Sequence, residues 1–358
     1  MFYYFLPFIM ISNTRSRFNY HEKYSFFPQK IIYICSLFFF AAIIATVILL
    51  YNYQTDGKDK SIQDTASPVR VGLSITDSNY QWINDQISTF EKAASDNNMV
   101  LVYHNIDQPD SQKQINDINT LISQDVSYLI IMPVDDSVLD VVFNIEKIKS
   151  GDLPLIVIAD QIPDTAPYVF FIQTNYREEG QTCAQIISDT YAGKSCNLIE
   201  IKGPANSYIA TKRYQGFHDE IRKYSNMHIE ATVSSDFNRQ TAQDAMERLI
   251  ASETSPKIDA IFSCSDEDGL GVLNALNLSG YFDHSDVTLV SIDGTQDILM
   301  AITAGEYKAT VQSSPRLGYA AFDLIAQLER GYDGTHRILL PYRIYDSDNA
   351  LTYLTNLF

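Results

Sequence analysis

The chain has 358 residues, of which 46% are hydrophobic, 20% charged and 12% aromatic, enough apolar material for one large or two medium packed domains and too much for a disordered chain. Its formal charge of -18, with no dense Lys/Arg run after Lys60, excludes nucleic acid and anionic lipid headgroups as partners, because either would need a basic patch. Cys35, Cys183, Cys196 and Cys264 are far apart and form no CxxC pair, which excludes metal-knuckle and thioredoxin-like sites; Cys183 and Cys196 either form a disulfide or, on the plainer reading, remain buried free thiols.

The first segment, MFYYFLPFIMIS, is apolar but too short to span a bilayer. The uncharged run Ile31 to Tyr51 has the roughly 20 residues that a membrane-crossing helix needs. Arg15, Arg17, Lys23 and Lys30 precede it, so the positive-inside bias places residues 1–30 in the cytoplasm and the remainder outside the cell. The alanines at 41, 42 and 45 supply small residues for a signal-peptide cleavage site. The apolar run continues past them through VILLY, however, and this favours an uncleaved single-pass anchor at 31–51. The polar stretch 52–68 lacks periodicity and is expected to be a flexible linker, holding the folded part roughly 20 to 25 Å from the membrane.

From Val69 onward, short β-rich runs alternate with amphipathic segments. VRVGLSI predicts the first strand, residues 80–96 predict a helix with Ile83, Ile87 and Phe90 on one face, and MVLVYH predicts the next strand. The alternation continues through YLIIMP, LIVIAD, VFFIQT, CNLIEI, HIEATV, AIFSC, VTLVSID, KATVQ and LLPYRIY. These are more strands than one sheet of about 5 or 6 ordinarily holds, so the expected fold is α/β with two doubly wound parallel-sheet lobes.

In such sheets ligands bind beyond the carboxyl ends of the strands, and there the sequence is polar: Asp77 and Asn79, Asp160, Ser265 with Asp266 and Glu267, Asp293, and Gln312. Carboxylates and a guanidinium in fixed forks, with aromatic platforms, are what a ring of hydroxyls with an apolar face requires. Asp160, Asp293, Arg213, Trp82 and Phe237 supply those types. Each also has a structural reading: an Asp after a strand as a helix cap, Trp82 as core, Phe237 as the cover of an apolar cluster, and Arg213 as the partner of Asp219 or Glu220 on a solvated face.

The order of these motifs resembles the ribose-type and galactofuranose-type periplasmic sugar-binding proteins of the type I fold, over about Val69 to Leu351. VGLSITDSNYQW looks like the family's first strand and ligand loop, with Asn79 and Trp82. LIVIADQ resembles its fourth strand with a sugar-binding Asp160, IATKRYQGF its helix with Arg213, and SSDFNRQTA the loop bearing Phe237. LVSIDGTQD is similar to the strand and turn carrying Asp293, and KATVQSSP supplies Gln312. Three departures stand out: Gln161 where members often have Arg, Ser265-Asp266 where Asn-Asp is common, and Asn175-Tyr176 in place of Asp-Asn. The resemblance implies lobe I at 69–174 plus 313–341 and lobe II at 175–312 plus 342–358. The lobes would be joined by crossings near Gln173 to Asn175, Ser313 and Tyr342, and would close on a pentose or hexose.

The sequence contains no GxxxxGK[ST] loop, HExxH, GxSxG or GxGxxG after a strand, and its histidines are scattered; no enzyme, metal or cofactor is expected. The implied partners are a monosaccharide and either an ABC permease, which the protein would serve as solute receptor, or a sensor histidine kinase or chemoreceptor. A membrane helix stands where a transcription factor on this fold would carry its DNA-binding domain.

Overall fold

Apolar runs without polar interruption form strands buried on both faces. In the computed structural model, which describes residues 67–76, 80–104, 106, 109–160, 169–252, 257–280, 287–332 and 337–356 together with Thr46, Tyr128–Ile131 (β3) and Leu155–Ala159 (β4) are buried at every position. Around them lie Arg70–Ser74 (β1), Val100–Tyr103 (β2), Val169–Gln173 (β5) and Arg337–Leu339 (β11), in the parallel order β2-β1-β3-β4-β5-β11. The helices of this lobe are Gln81–Asp96 (α1), Ser111–Ser123 (α2), Asp136–Val142 (α3), Glu146–Lys149 (α4) and Leu317–Leu328 (α10). Trp82, Ile83, Gln86, Phe90, Ala93 and Ala94 form the buried stripe of α1, and complete burial of Phe90 alone contributes about 2 kcal/mol. Gly318 allows α10 to lie on α1, since a Cβ there would sit 2.4 Å from the Phe90 nitrogen.

A second sheet is built the same way from Cys196–Lys202 (β6), Met227–Ser234 (β7), Ala260–Ser263 (β8), Thr288–Asp293 (β9), Ala309–Gln312 (β10) and Ile344–Asp346 (β12). Its order is β7-β6-β8-β9-β10-β12, parallel except for β12, which runs antiparallel at the edge. The helices that accompany it are Tyr176–Tyr191 (α5), Tyr208–Ile221 (α6), Arg239–Ile250 (α7), Asp266–Ser279 (α8), Gln296–Thr303 (α9) and Ala350–Asn356 (α11). After the buried Met227, β7 alternates exposed with half-buried residues, the pattern of an edge strand with one solvated face.

The chain passes between the sheets after β5, after β10, and between β11 and β12. This last crossing corrects the expectation of one strand over LLPYRIY. The Leu340 N–H donates to Gln173 in the first sheet and the Gln312 N–H donates to Arg343 beside the second, so Pro341, which has no N–H to give, falls in the gap. In both sheets the order reverses at the first strand, next to β1 and next to β6. These are the points where open α/β sheets leave a crevice beyond their carboxyl ends.

Ser67–Phe358 form one compact unit. The expected cytoplasmic segment 1–30, the anchor at 31–51 apart from Thr46, and the linker up to residue 66 lie outside the described residues. Among the described residues no helix is long and apolar enough to cross a membrane. Cys183, Cys196 and Cys264 are buried free thiols.

Candidate functional site

Helix α6 carries the arginine of the site. The Ser207 hydroxyl caps the helix by accepting from the Ala210 N–H, and residues four apart, Ile209, Arg213 and Phe217, then fall on one buried face. Arg213 is brought against α5 by a reciprocal glycine contact. A Cβ at Gly180 would lie 2.0 Å from the Arg213 carbonyl oxygen, and one at Gly216 would lie 1.8 Å from that of Arg177. The backbones therefore touch, and Glu179, one residue before Gly180, meets the guanidinium.

Arg213 is fully buried and each of its nitrogens is engaged. Nε donates to Glu179 Oε2 at 3.1 Å, Nη2 to Asp293 Oδ1 at 2.8 Å, and Nη1 to the Cys264 carbonyl at 2.9 Å and to the Tyr80 hydroxyl at 3.1 Å. Burial works against its charge, but Tyr80, Asp293 and Glu179 prevail and hold it protonated. The Tyr80 hydroxyl in turn donates to Asp293, lying 2.7 Å from both carboxylate oxygens. Its ring is stacked on Phe237 with centroids 4.1 Å apart and on Trp82 at 5.9 Å.

Asp293 stands at the end of β9 with φ of 138°, followed by Gly294 at 80°. The turn is pinned by Asp266, which accepts from the hydroxyls of Ser291 and Thr310 and from the Thr295 N–H at 2.6 to 2.7 Å. Burial, reinforced by Asp293, pushes Asp266 up to about 7; burial likewise pushes up Glu179 to about 7, against Arg213 and the Ser313 hydroxyl, and Asp268 to about 7. The site thus gathers one buried cation with several buried carboxyl groups, a polar set inside two apolar lobes.

Next to it, Trp82, Thr174, Tyr176, Glu179, Ser313 and Tyr342 help to line a narrow crevice at the chain crossings. Among the described residues Trp82 Nε1, Thr174 Oγ1 and the Tyr176 hydroxyl are buried without a hydrogen-bond partner, and all three belong to this crevice. Such atoms call for a polar partner, since each one left unpaired costs roughly 1 to 3 kcal/mol.

A sequence model of the periplasmic binding protein domain matches residues 71–333. The chain belongs to that family. It is similar to the galactofuranose-binding protein YtfQ of Escherichia coli, with 26% identity over 75% of this chain and 84% of that one. It also resembles the ribose import binding protein RbsB of Bacillus subtilis, with 28% identity over 69% of this chain and 77% of the relative. Among solved structures it superposes on a Mycobacterium smegmatis protein in complex with β-D-fucofuranose, with a TM-score of 0.72, 26% identity, and coverage of 81% of this chain and 95% of that one. The two-lobed α/β fold is that of the family, as the order of motifs in the sequence implied, and these relatives are binding proteins rather than enzymes.

In this periplasmic binding protein the residues singled out from sequence divide into two groups. Trp82, Arg213, Phe237 and Asp293 converge on Tyr80. Arg213 does not pair with Asp219 or Glu220 along its own helix; Arg177 takes Asp219 instead. Of the other candidates, Gln312 is the register partner of Asp293 between β10 and β9, and Ser265 follows Cys264, whose carbonyl accepts from Arg213, and precedes Asp266, whose N–H donates to Asp293 Oδ2 at 3.3 Å. Asp160 Oδ1 accepts from the Arg177 N–H at the start of α5, its own N–H donates to Tyr208, and burial raises its pKa. The Ser265 hydroxyl is spent on capping α8, where it accepts from the Asp268 N–H at 3.1 Å. Gln312 ends β10 beside Gly294. Asn79 lies outside the described residues. Sequence reading does not single out Tyr80 or Glu179, and it names Tyr176 only within the departure from Asp-Asn, although Tyr80 falls between Asn79 and Trp82 in the first-strand loop.

Proposed function

We propose that this protein is the solute-binding component of a sugar importer, in which the two lobes close on a monosaccharide held by Arg213 and Asp293 from the second lobe and by Trp82 from the first, with Phe237 as an aromatic platform. The observation that carries this reading is the fully buried Arg213–Asp293 pair facing stacked aromatic rings at the carboxyl ends of both sheets. A sugar offers hydroxyls that both donate and accept, together with an apolar C–H face. A forked cation, a carboxylate and flat rings are complementary to those features. The relatives' names point to furanoses and pentoses, so the panel of choice includes D-ribose, L-arabinose, D-galactose and D-fucose. Asp160, Ser265, Gln312 and Asn79 enter this proposal as further sugar contacts, through the resemblance.

Titration calorimetry against that panel tests the reading. Wild-type protein should bind one member, and Arg213→Ala or Asp293→Ala should weaken that binding by roughly 2 to 5 kcal/mol, as expected for desolvated, charge-assisted contacts. Sugar binding that survives both substitutions unchanged would place the ligand elsewhere.

The uninterrupted apolar run at 31–51, with basic residues before it, supports a single-span anchor that keeps the binding lobes outside the membrane. The same tether suits a sugar-sensing subunit that signals to a membrane histidine kinase or chemoreceptor. Neighbouring genes for a permease and ATPase favour import, and genes for a kinase and response regulator favour sensing.

A further inference from the structure

We propose that Tyr80 is an intramolecular stand-in for the ligand, its phenol occupying the place and the hydrogen-bonding groups that a sugar needs, so that sugar binds by displacing it. This rests on the sugar-binding reading above and adds to it how the same site is regulated.

The phenol has the right chemistry for the role. Burial raises its pKa well above the ordinary range, so the hydroxyl stays neutral, with one proton to donate and lone pairs to accept, like a sugar hydroxyl. It uses both capacities at once, donating to Asp293 at 2.7 Å and accepting from Arg213 at 3.1 Å. The flat ring stacks on Phe237 and Trp82 as the face of a sugar ring would. Tyr80 is 1% exposed, so the volume it fills is interior rather than rim.

The contact also has the right placement. Tyr80 belongs to the first lobe, just before α1, whereas Arg213 and Asp293 belong to α6 and β9 of the second. A bond between them spans the cleft and favours closure, which is the mechanical effect expected of the ligand. Four of the five N–H donors of Arg213 are committed to Glu179, Cys264, Tyr80 and Asp293, and of these partners only Tyr80 comes from the first lobe, so a sugar hydroxyl that joins the lobes at this pair takes over the bonds of Tyr80. The observed affinity is then the intrinsic affinity reduced by the fraction of molecules in which the tyrosine has left the site. Tyr80 thereby sets a threshold sugar concentration and rejects ligands too weakly hydrogen-bonded to displace a phenol.

The test uses the full-length chain in detergent and its single tryptophan, Trp82, which stacks on Tyr80. Binding of D-ribose, L-arabinose, D-galactose and D-fucose to wild type, Tyr80→Phe and Tyr80→Gly is followed by Trp82 emission. Quenching of Trp82 by acrylamide is measured without sugar. The glycine variant should bind its sugar about ten- to a hundredfold more tightly than wild type, with the phenylalanine variant between them, a range equal to a plug populated at about ten to a hundred to one. Equal or weaker binding by the glycine variant would make Tyr80 part of the sugar's wall and overturn the proposal. If that variant does not fold, unchanged affinity in Tyr80→Phe has the same force. If no sugar binds any of the three proteins, the sugar reading falls and quenching decides for Tyr80: Trp82 shielded in wild type and open in the variants upholds self-occupancy, and equal quenching overturns it.

Discussion

Arg213 Nη2 and Asp293 Oδ1 are 2.8 Å apart, and their side chains are 0% and 1% exposed. A buried pair of this kind contributes little to net stability, because desolvation of both ions offsets most of their attraction. Losing one member is a different matter. Arg213→Met would leave Glu179 and Asp293 in the interior with no cation, at a cost of about 3 to 5 kcal/mol in urea unfolding. Arg213→Lys keeps the charge but not the fork, so it should recover only part of that loss. An Arg213→Met protein within 1 kcal/mol of wild type would show that the carboxylates find other partners.

The raised carboxyl groups give a pH dependence of definite sign. Glu179, Asp266 and Asp268 hold their protons to about 7 in the folded protein, well above their unfolded values, so the folded state binds more protons over the interval between. Their contribution is complete below about pH 4 and is lost as pH rises toward 7. Asp268 is the cleanest probe, because its Oδ1 accepts from Ser235 while Oδ2 is buried without a partner among the described residues. Asp268→Asn should leave stability at pH 4 nearly unchanged and raise it at pH 8 by about 1 to 4 kcal/mol. A variant equally stable or less stable at pH 8 would mean that Asp268 titrates normally.

Which parts of this arrangement could be read from sequence follows from what each depends on. Strands such as LIVIA declare themselves because an unbroken apolar run has no solvated alternative. LLPYRIY does not reveal that it serves two sheets, because this depends on where the chain crosses between lobes, and only Pro341 hints at the break. Arg213, Phe237 and Asp293 stood out through the order of motifs around them. Glu179 did not, because REEG reads as a solvated helix face; the glycine contact with α6 buries it. Asp160 was visible as a residue after a strand, but its bond to the Arg177 N–H depends on where α5 begins.

The contact between α5 and α6 makes two glycines indispensable. Gly180→Ala and Gly216→Ala would each drive a methyl group to about 2 Å from a backbone carbonyl oxygen, which only separation of the helices relieves. Thermal unfolding of each variant should show a loss at the upper end of the roughly 1 to 3 kcal/mol typical of overpacking, or beyond it. Gly193, Gly305 and Gly331 have open space around them and offer controls in which only the backbone conformation is strained. Equal losses at Gly180 and Gly305 would mean that conformation rather than packing governs both.

Phe237 adopts φ of 60°, a left-handed conformation uncommon for an aromatic residue, and its ring lies over Gly203 at the end of β6. A Cβ on Gly203 would approach Phe237 Cε1 to 2.4 Å and Ala210 Cβ to 2.9 Å. Gly203→Ala therefore moves the platform rather than the charges: the ring must tilt away from Tyr80, while Arg213 and Asp293 keep their bond. Because Tyr80 stacks on the same ring, the effect on sugar is read in a Tyr80→Gly background; stacking of this kind contributes about 0.5 to 1.5 kcal/mol, so sugar affinity there should fall by roughly three- to tenfold, with no change in its pH dependence. Calorimetry over pH 5 to 8 reads both quantities. A changed pH profile would mean that the displacement reaches the charged pair, and an unchanged affinity would remove Phe237 from the ligand's surroundings.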